Sequence, residues 1–154
     1  MWRKGTNKIA YKKSNTIKNT KFVPCRITSG YTKKILASTD AHEREMLGQG
    51  LLNEISQSLS IPAPRLTVYD KRQSHSLKDG KLMRKTYGMY KKGHITINNK
   101  TAIRQAIVAP KTFLDTLIHE FMHHYDYEVL RLPASLHTAG FYYRLGDIIK
   151  KLTC

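Results

Sequence analysis

The chain has 154 residues, 40% of them hydrophobic, and its 27 Lys and Arg against 11 Asp and Glu give a formal net charge of +16. This length favours one domain with a modest core, and two cysteines, Cys25 and Cys154, are too few for a disulfide framework. No stretch approaches the roughly 20 apolar residues of a membrane span, and the N-terminus lacks an apolar secretory signal. We therefore expect no membrane contact and a location in the cytoplasm or on the nucleoid. We also expect a monomer.

The first 34 residues are basic and contain no acidic residue. Asn, Thr and Ser are interleaved with the lysines, and no sustained apolar period runs through the segment. This pattern predicts a flexible arm over residues 1–34, ahead of a folded domain over residues 35–154. Phe22 and Ile27 are the apolar residues expected to anchor the end of the arm on the domain.

A second basic cluster lies between residues 71 and 92. Lys and Arg that neutralise phosphates release counterions, so clusters of this kind favour nucleic acid without sequence preference. We expect DNA contacts through both clusters, and the alternative is a basic surface that only water contacts. The expected contact residues are Arg3, Lys4, Lys12, Lys13, Lys71, Arg72, Arg84 and Lys85.

The middle of the chain has the pattern of a helix followed by strands. Asp40 and Glu43 form a capping box, and leucines and isoleucines then recur every four residues as far as Ile61 and Pro62. Clustered β-branched residues between turn signals predict strands at 66–69 and 94–97, with another within 82–90. Residues 101–108 fit either a short helix or an extended connection.

A second amphipathic helix is predicted from Thr112. Thr112 and Asp115 have the spacing of a capping box directly after Pro110, and apolar residues follow at spacings of three and four. Pro133 ends the pattern, which leaves a helix of about five turns.

The run His119-Glu120-Phe121-Met122-His123 lies near the middle of this predicted helix. Histidines at positions i and i+4 are about 40° apart around a helix, so both rings reach one metal ion. Glu120 follows the first histidine and reaches a water on that ion. This arrangement is typical of zinc hydrolases.

A catalytic zinc site needs a third protein ligand and an open position for water. The metzincin pattern is excluded, because Val129 stands where its third histidine belongs and Asp126 stands where its glycine belongs. Glu128 faces the opposite side of the helix from His119. His137 is the better candidate, since it follows the Pro133 break and precedes a predicted helix over residues 138–152.

These motifs resemble the SprT-like metallopeptidases, the group that includes the Spartan-type DNA–protein crosslink proteases. The resemblance is carried by the zinc-helix motif, the short connection broken by Pro133, and the run His137-Thr138-Ala139-Gly140-Phe141-Tyr142-Tyr143-Arg144-Leu145. Residues 88–98 resemble the strand pair before the zinc helix, so the likeness covers about residues 39–152. It implies an α+β zincin-like domain in which helices pack with a short antiparallel sheet and the motif lies on the central helix.

The resemblance also implies roles for particular residues. His119, His123 and His137 are implied to bind one Zn²⁺ per chain, and Glu120 is implied to be the acid and base that hydrolyses peptide bonds of protein substrates. Many family members add a zinc ribbon with paired Cys-x-x-Cys motifs, which Cys25 and Cys154 cannot build. We therefore expect a minimal catalytic domain.

Several residues around the motif have further expected roles. An oxyanion partner is expected from Tyr142, Tyr143 or Arg144, and residues 93–98 are the expected strand edge for an extended peptide. Asp126 is expected either to orient a ligand imidazole or to form a surface salt bridge. His124 points about 100° away from His123 and is not expected to be a ligand.

Two other functions fit the same sequence. One is a non-catalytic nucleic-acid-binding protein with a structural metal site, and the other is a zinc hydrolase of a non-peptide substrate.

Overall fold

The computed structural model describes residues 4–78 and 81–154, apart from the side chains of residues 4–7, 74–78 and 81–86. In these residues the helices are α1 (Lys4–Thr16), α2 (Arg26–Leu36), α3 (Ala41–Ser58), α4 (Pro110–Glu128) and α5 (Ala139–Thr153). The strands are β1 (Arg65–Arg72), β2 (Ser74–Lys78), β3 (Lys81–Thr86), β4 (Gly88–Lys91) and β5 (His94–Lys100). The α+β class is therefore confirmed. None of the described helices is long and apolar enough to cross a membrane.

The main sheet has the strand order β1-β5-β4, and β2 pairs with β3 in a separate hairpin. β4 runs antiparallel to β5, whereas β1 runs parallel to β5, with Val68 opposite Ile97. The prediction of an antiparallel sheet was wrong for β1, because the hairpin and β4 lie between β1 and β5 in the chain and form the long connection that parallel strands need. Ile95 and Ile97 of the central strand are almost fully buried.

Helix α4 is the central helix and packs against α2, α5, β4 and β5. Its first residue is Pro110, whose fixed φ suits the first position of a helix and whose missing N–H would have no partner there. The helix thus begins two residues before the predicted Thr112. Asp115 accepts a hydrogen bond from the Lys111 ammonium instead of capping the helix.

The predicted helix after Asp40 is α3, and the Asp40 carboxylate accepts a hydrogen bond from the Glu43 backbone N–H. α3 packs against α2 and β1. Residues 101–108 form turns and a single bridge between Lys100 and Ile107, so the connection to α4 is not helical.

The prediction of a flexible arm over residues 1–34 was wrong for the described part of that segment. α1 packs on α5, and α2 packs on α3, α4 and α5. The buried face of α2 consists of Thr28, Thr32 and Ile35, and Phe22 between the two helices is 1% exposed. An apolar period was missing from the sequence because threonines occupy two of the buried helical positions.

Replacing Phe22 with Ala tests whether this segment belongs to the fold. We expect Phe22→Ala to lower the free energy of unfolding by about 3–5 kcal/mol, because a large buried side chain is lost and a cavity remains. The neighbouring Val23 is 70% exposed, and Val23→Ala should change stability by less than about 0.5 kcal/mol. Urea unfolding measures both variants, and equal stabilities would show that the segment does not pack.

Candidate metal centre

Two histidines of α4 and one that precedes α5 lie close together. His119 and His123 are one turn apart on α4, and His137 lies directly before the N-cap of α5, where the Thr138 hydroxyl accepts a hydrogen bond from the Phe141 N–H. The ligand nitrogens of the three histidines lie within 4.8 Å of one another, and the Nε2 atoms of His123 and His137 are 3.1 Å apart. Two nitrogens on a tetrahedral zinc ion are about 3.3 Å apart, so the arrangement fits such an ion.

The three imidazole rings surround a common space, and the aromatic ring of Phe141 contacts all three of them. Their ring centroids are 5.3, 5.0 and 5.0 Å apart in the three pairs. The buried ring of Phe141 lies 5.1, 4.9 and 5.1 Å from the rings of His119, His123 and His137. Phe141 therefore shields one side of the centre from water, a role that the sequence analysis did not assign to it.

The electrostatics favour neutral imidazoles. Burial lowers the pKa of His119, and the nearby His137 adds to that effect. Burial also lowers the pKa of His123 to about 4, with His119 and His137 contributing. Neutral imidazole is the form that binds metal ions, so the lowered pKa values of His119 and His123 favour metal binding by these two residues at neutral pH.

Hydrogen bonds select the tautomer of His123. The Ser135 hydroxyl donates to an Asp126 carboxylate oxygen at 2.7 Å, so its oxygen accepts from His123 Nδ1–H at 2.8 Å. The lone pair of His123 is then on Nε2, the nitrogen that faces His137. Asp126 thus orients the imidazole of His123 through Ser135, a residue for which the sequence predicted no role.

Asp126 is completely buried in an ion pair with Arg144, with 3.0 Å between the nearest nitrogen and oxygen. Burial raises the pKa of Asp126, and the hydrogen bond from Ser135 and the charge of Arg144 oppose that rise. The prediction that Arg144 stabilises an oxyanion was wrong, because its guanidinium is 0% exposed and directed to Asp126 and to α1. Of the two alternatives for Asp126, the surface salt bridge is excluded.

The two tyrosines before Arg144 differ in position. The ring of Tyr142 lies 6.3 Å from His119 and 6.0 Å from His137, so Tyr142 stands beside the centre. Tyr143 is exposed, and the Lys18 ammonium lies 5.2 Å from its ring centroid. Neither tyrosine is among the described residues that line the cleft, but of the three oxyanion candidates Tyr142 is the one whose ring contacts the histidines.

Glu120 lies beside the histidines in the wall of an open cleft of about 820 Å³. Its side chain is 7% exposed, and burial raises the pKa of its carboxyl to about 7. A group with this pKa both accepts and donates protons near neutral pH. Gly88 of β4 permits the close approach of the helix, because a Cβ there would lie 2.9 Å from Thr116 Cγ2 and 3.2 Å from Glu120 Cγ.

Strand β4 forms a wall of the cleft. Gly88, Met89 and Tyr90 line it, and β4 is one of the two edge strands of the described three-stranded sheet. The expectation that residues 93–98 offer the free edge was wrong, because β5 is paired with β1 on one side and β4 on the other. Neither strand order nor edge position is encoded in the local pattern of β-branched residues.

His124 is held away from the centre by two hydrogen bonds. Its Nε2–H donates to the Pro62 carbonyl at 2.7 Å, so Nδ1 accepts from the Tyr90 hydroxyl at 2.8 Å. Both ring nitrogens are engaged, which leaves none for a metal. The ring of Tyr90 also stacks on His123, with 6.4 Å between the ring centroids, so Tyr90 links β4 to α4.

The expected phosphate contacts are distributed over separate elements. Lys12 and Lys13 are exposed on α1, and Lys71 and Arg72 are exposed at the end of β1. Lys13 also donates a hydrogen bond to the Leu130 carbonyl, so it helps to hold α1 in place. Arg3 lies outside the described residues, and so do the side chains of Lys4, Arg84 and Lys85.

No protein family model matches the chain, and no curated protein or solved structure is significantly similar to it. The assignment of this centre therefore depends on its geometry and chemistry.

Substituting His137, the histidine outside the His119–His123 motif, tests whether the three histidines bind one metal ion together. We expect His137→Ala to weaken zinc binding by more than about 100-fold, because even residues behind the ligands change affinity 10- to 100-fold. His42, exposed near the start of α3, provides the control His42→Ala, which should bind zinc like the unaltered chain. Competition with a chromogenic chelator measures both affinities, and an unchanged affinity for His137→Ala would contradict the assignment.

Proposed function

We propose that the chain is a zinc-dependent hydrolase of the SprT-like type that cleaves peptide bonds in protein substrates. The observation that carries the proposal is the convergence of His119, His123 and His137 beside the buried Glu120 in an open cleft. Three histidines with room for water are typical of catalytic zinc sites. A zincin-like identity of the fold and one Zn²⁺ per chain are parts of the same proposal.

Zinc in this centre would supply a Lewis acid that polarises a carbonyl and lowers the pKa of water. Glu120 is the proton acceptor, and its pKa of about 7 suits it to return that proton to the leaving amine. Tyr142 is the candidate donor to the developing oxyanion, because its ring is next to two of the histidines. Phe141 keeps water from the opposite side of the centre.

A peptide substrate is favoured by the position of β4. Edge strands bind extended peptides through backbone hydrogen bonds, and pockets between side chains then select residues. Residues of β4, residues 133–135 and the three histidines line the same cleft, so a peptide paired with β4 would lie beside the histidines. A small non-peptide substrate would not need this edge.

A structural metal site is the less favoured alternative. Closed structural zinc sites usually have four protein ligands. Among the described residues, the group of side chains close enough to hold a metal ion consists of the three histidines alone. The cleft beside them is open to a substrate.

Substituting Glu120 tests the catalytic proposal. We expect Glu120→Gln to lower the rate of protein cleavage by about 10²- to 10⁴-fold, because proton transfer is lost, while zinc content stays at one equivalent. Glu128→Gln makes the same change at the end of the same helix and should leave the rate unchanged. A fluorescently labelled unfolded protein and a lysine-rich DNA-binding protein serve as substrates.

Two outcomes of this experiment would contradict the peptidase. Cleavage that persists in Glu120→Gln would exclude Glu120 as the base. Stoichiometric zinc without cleavage of either protein would favour a non-peptide substrate.

We also propose that the enzyme acts in the cytoplasm on proteins at or near DNA. The support is the net charge of +16 and the exposed positions of Lys12, Lys71 and Arg72. Such surfaces bind phosphates and lose affinity steeply with salt.

Salt dependence tests this second proposal. We expect binding to a single-stranded oligonucleotide and to its duplex to weaken with salt, and the double change Lys71→Gln with Arg72→Gln to reduce the log–log slope by about 2. Lys111→Gln is the control, because Lys111 is already paired with Asp115. Fluorescence anisotropy measures the affinities, and binding that is independent of salt would contradict phosphate contacts.

A further inference from the structure

The C-terminal turn of α1 docks on the first turn of α5 with no room for a side chain between them. A Cβ at Gly140 would lie 2.0 Å from the Ser14 carbonyl oxygen and 2.8 Å from the Asn15 carbonyl carbon. Contacts this short cannot exist, so only glycine at position 140 permits the observed docking. The backbone of α1 therefore contacts the start of α5 at Gly140, three residues after His137.

One polar connection runs from this contact to His137. The hydroxyls of Ser14 and Thr138 share a hydrogen bond of 2.9 Å, and both side chains are buried. Thr138 is the N-cap of α5 and the residue after His137. A shift of α1 would therefore move Thr138 and, with it, the adjacent backbone of His137.

A second connection runs to His123. Arg144 donates to the carbonyl oxygens of Ser14 and Ile17 at 2.6 and 2.7 Å. Carbonyls at the end of a helix have no partner inside the helix, so Arg144 satisfies them. The same guanidinium donates to Asp126, which accepts from Ser135, the partner of His123 Nδ1.

We propose that α1 is a positioning element of the metal centre. Docking of its last turn against Gly140 fixes Arg144 and Thr138, and through them the orientations of His123 and His137. If α1 moves away, Arg144 loses two of its acceptors and water reaches the buried pair, so Asp126 no longer holds Ser135 in place. The proposal depends on the zinc site of the proposed function, and it is independent of the substrate.

Gly140→Ala is the sharpest test, because it displaces α1 without removing a polar group of either connection. Gly146→Ala is the matched control on the same helix, since a Cβ there meets no atom within 4 Å and the gain in helix propensity is of the same kind. We expect Gly140→Ala to weaken zinc binding 10- to 100-fold and Gly146→Ala to leave it unchanged. Chelator competition measures zinc affinity, and the visible absorption of the Co²⁺-substituted chain measures ligand geometry.

Further variants keep the test decisive if Gly140→Ala fails to fold. Ser14→Ala removes the hydrogen bonds of the Ser14 hydroxyl to Thr138 and to Arg144 without a clash, keeps the carbonyl that accepts from Arg144, and should weaken zinc binding several-fold. Ser135→Ala removes the link to His123 itself, and Ser135→Thr, which keeps a hydroxyl, should restore both the affinity and the Co²⁺ spectrum. By linkage, zinc should also slow tryptic cleavage within α1 in the unaltered chain.

The outcomes separate this proposal from the peptidase. Folded Gly140→Ala and Ser14→Ala chains that bind zinc like the unaltered chain would overturn the role of α1 and leave the peptidase intact. Zinc binding that depends on α1, in a chain that cleaves no protein, would support the role of α1 and overturn the peptidase. An unaltered chain that binds no zinc would overturn both.

Discussion

The buried ion pair between Arg144 and Asp126 joins α4, which carries His119 and His123, to α5, which follows His137. Removing two charges from water costs several kcal/mol for each ion, and hydrogen bonds to the remaining donors and acceptors offset part of that cost. Ser135 donates to Asp126, and Arg144 donates to the carbonyls of Ser14 in the last turn of α1 and of Ile17 just after it. Among the described residues, Arg144 Nε has no hydrogen-bond partner. The position of α4 relative to α5, and so the distance between His123 and His137, depends on this arrangement.

The histidines themselves were predictable because their geometry is local. A spacing of four residues fixes His119 and His123 on one helical face, whatever the rest of the chain does. Ser135 was not predictable, since its role depends on where a loop passes. Asp126 and Arg144 did give a signal: Arg144 lies between Phe141 and Ile148 on the apolar stripe of α5, and Asp126 lies on the buried face of α4. Opposite charges on the buried faces of two adjacent helices indicate an ion pair.

The ends of a helix were predictable where residues at or next to those ends set them. The Asp40 cap and the apolar period locate α3, and Pro133 follows the end of α4. The partners of each strand were not predictable, because the order β1-β5-β4 arises from contacts between distant residues. The N-terminal segment was misjudged for a different reason: hydrogen bonds to Arg144 and Asp147 hold it, and these contacts leave no apolar period in the sequence.

The distribution of charge connects the two parts of the proposed function. The chain carries a net charge of +16, yet the charged groups among the described cleft residues are Asp115 and Glu120, with no Lys or Arg. Because the cleft is open to water, its carboxylates repel phosphates only weakly, but no cationic side chain among these residues attracts them. Under the proposed function, a nucleic acid would therefore bind to the basic outer surfaces, and a protein attached to that nucleic acid would be the part of the complex that enters the cleft.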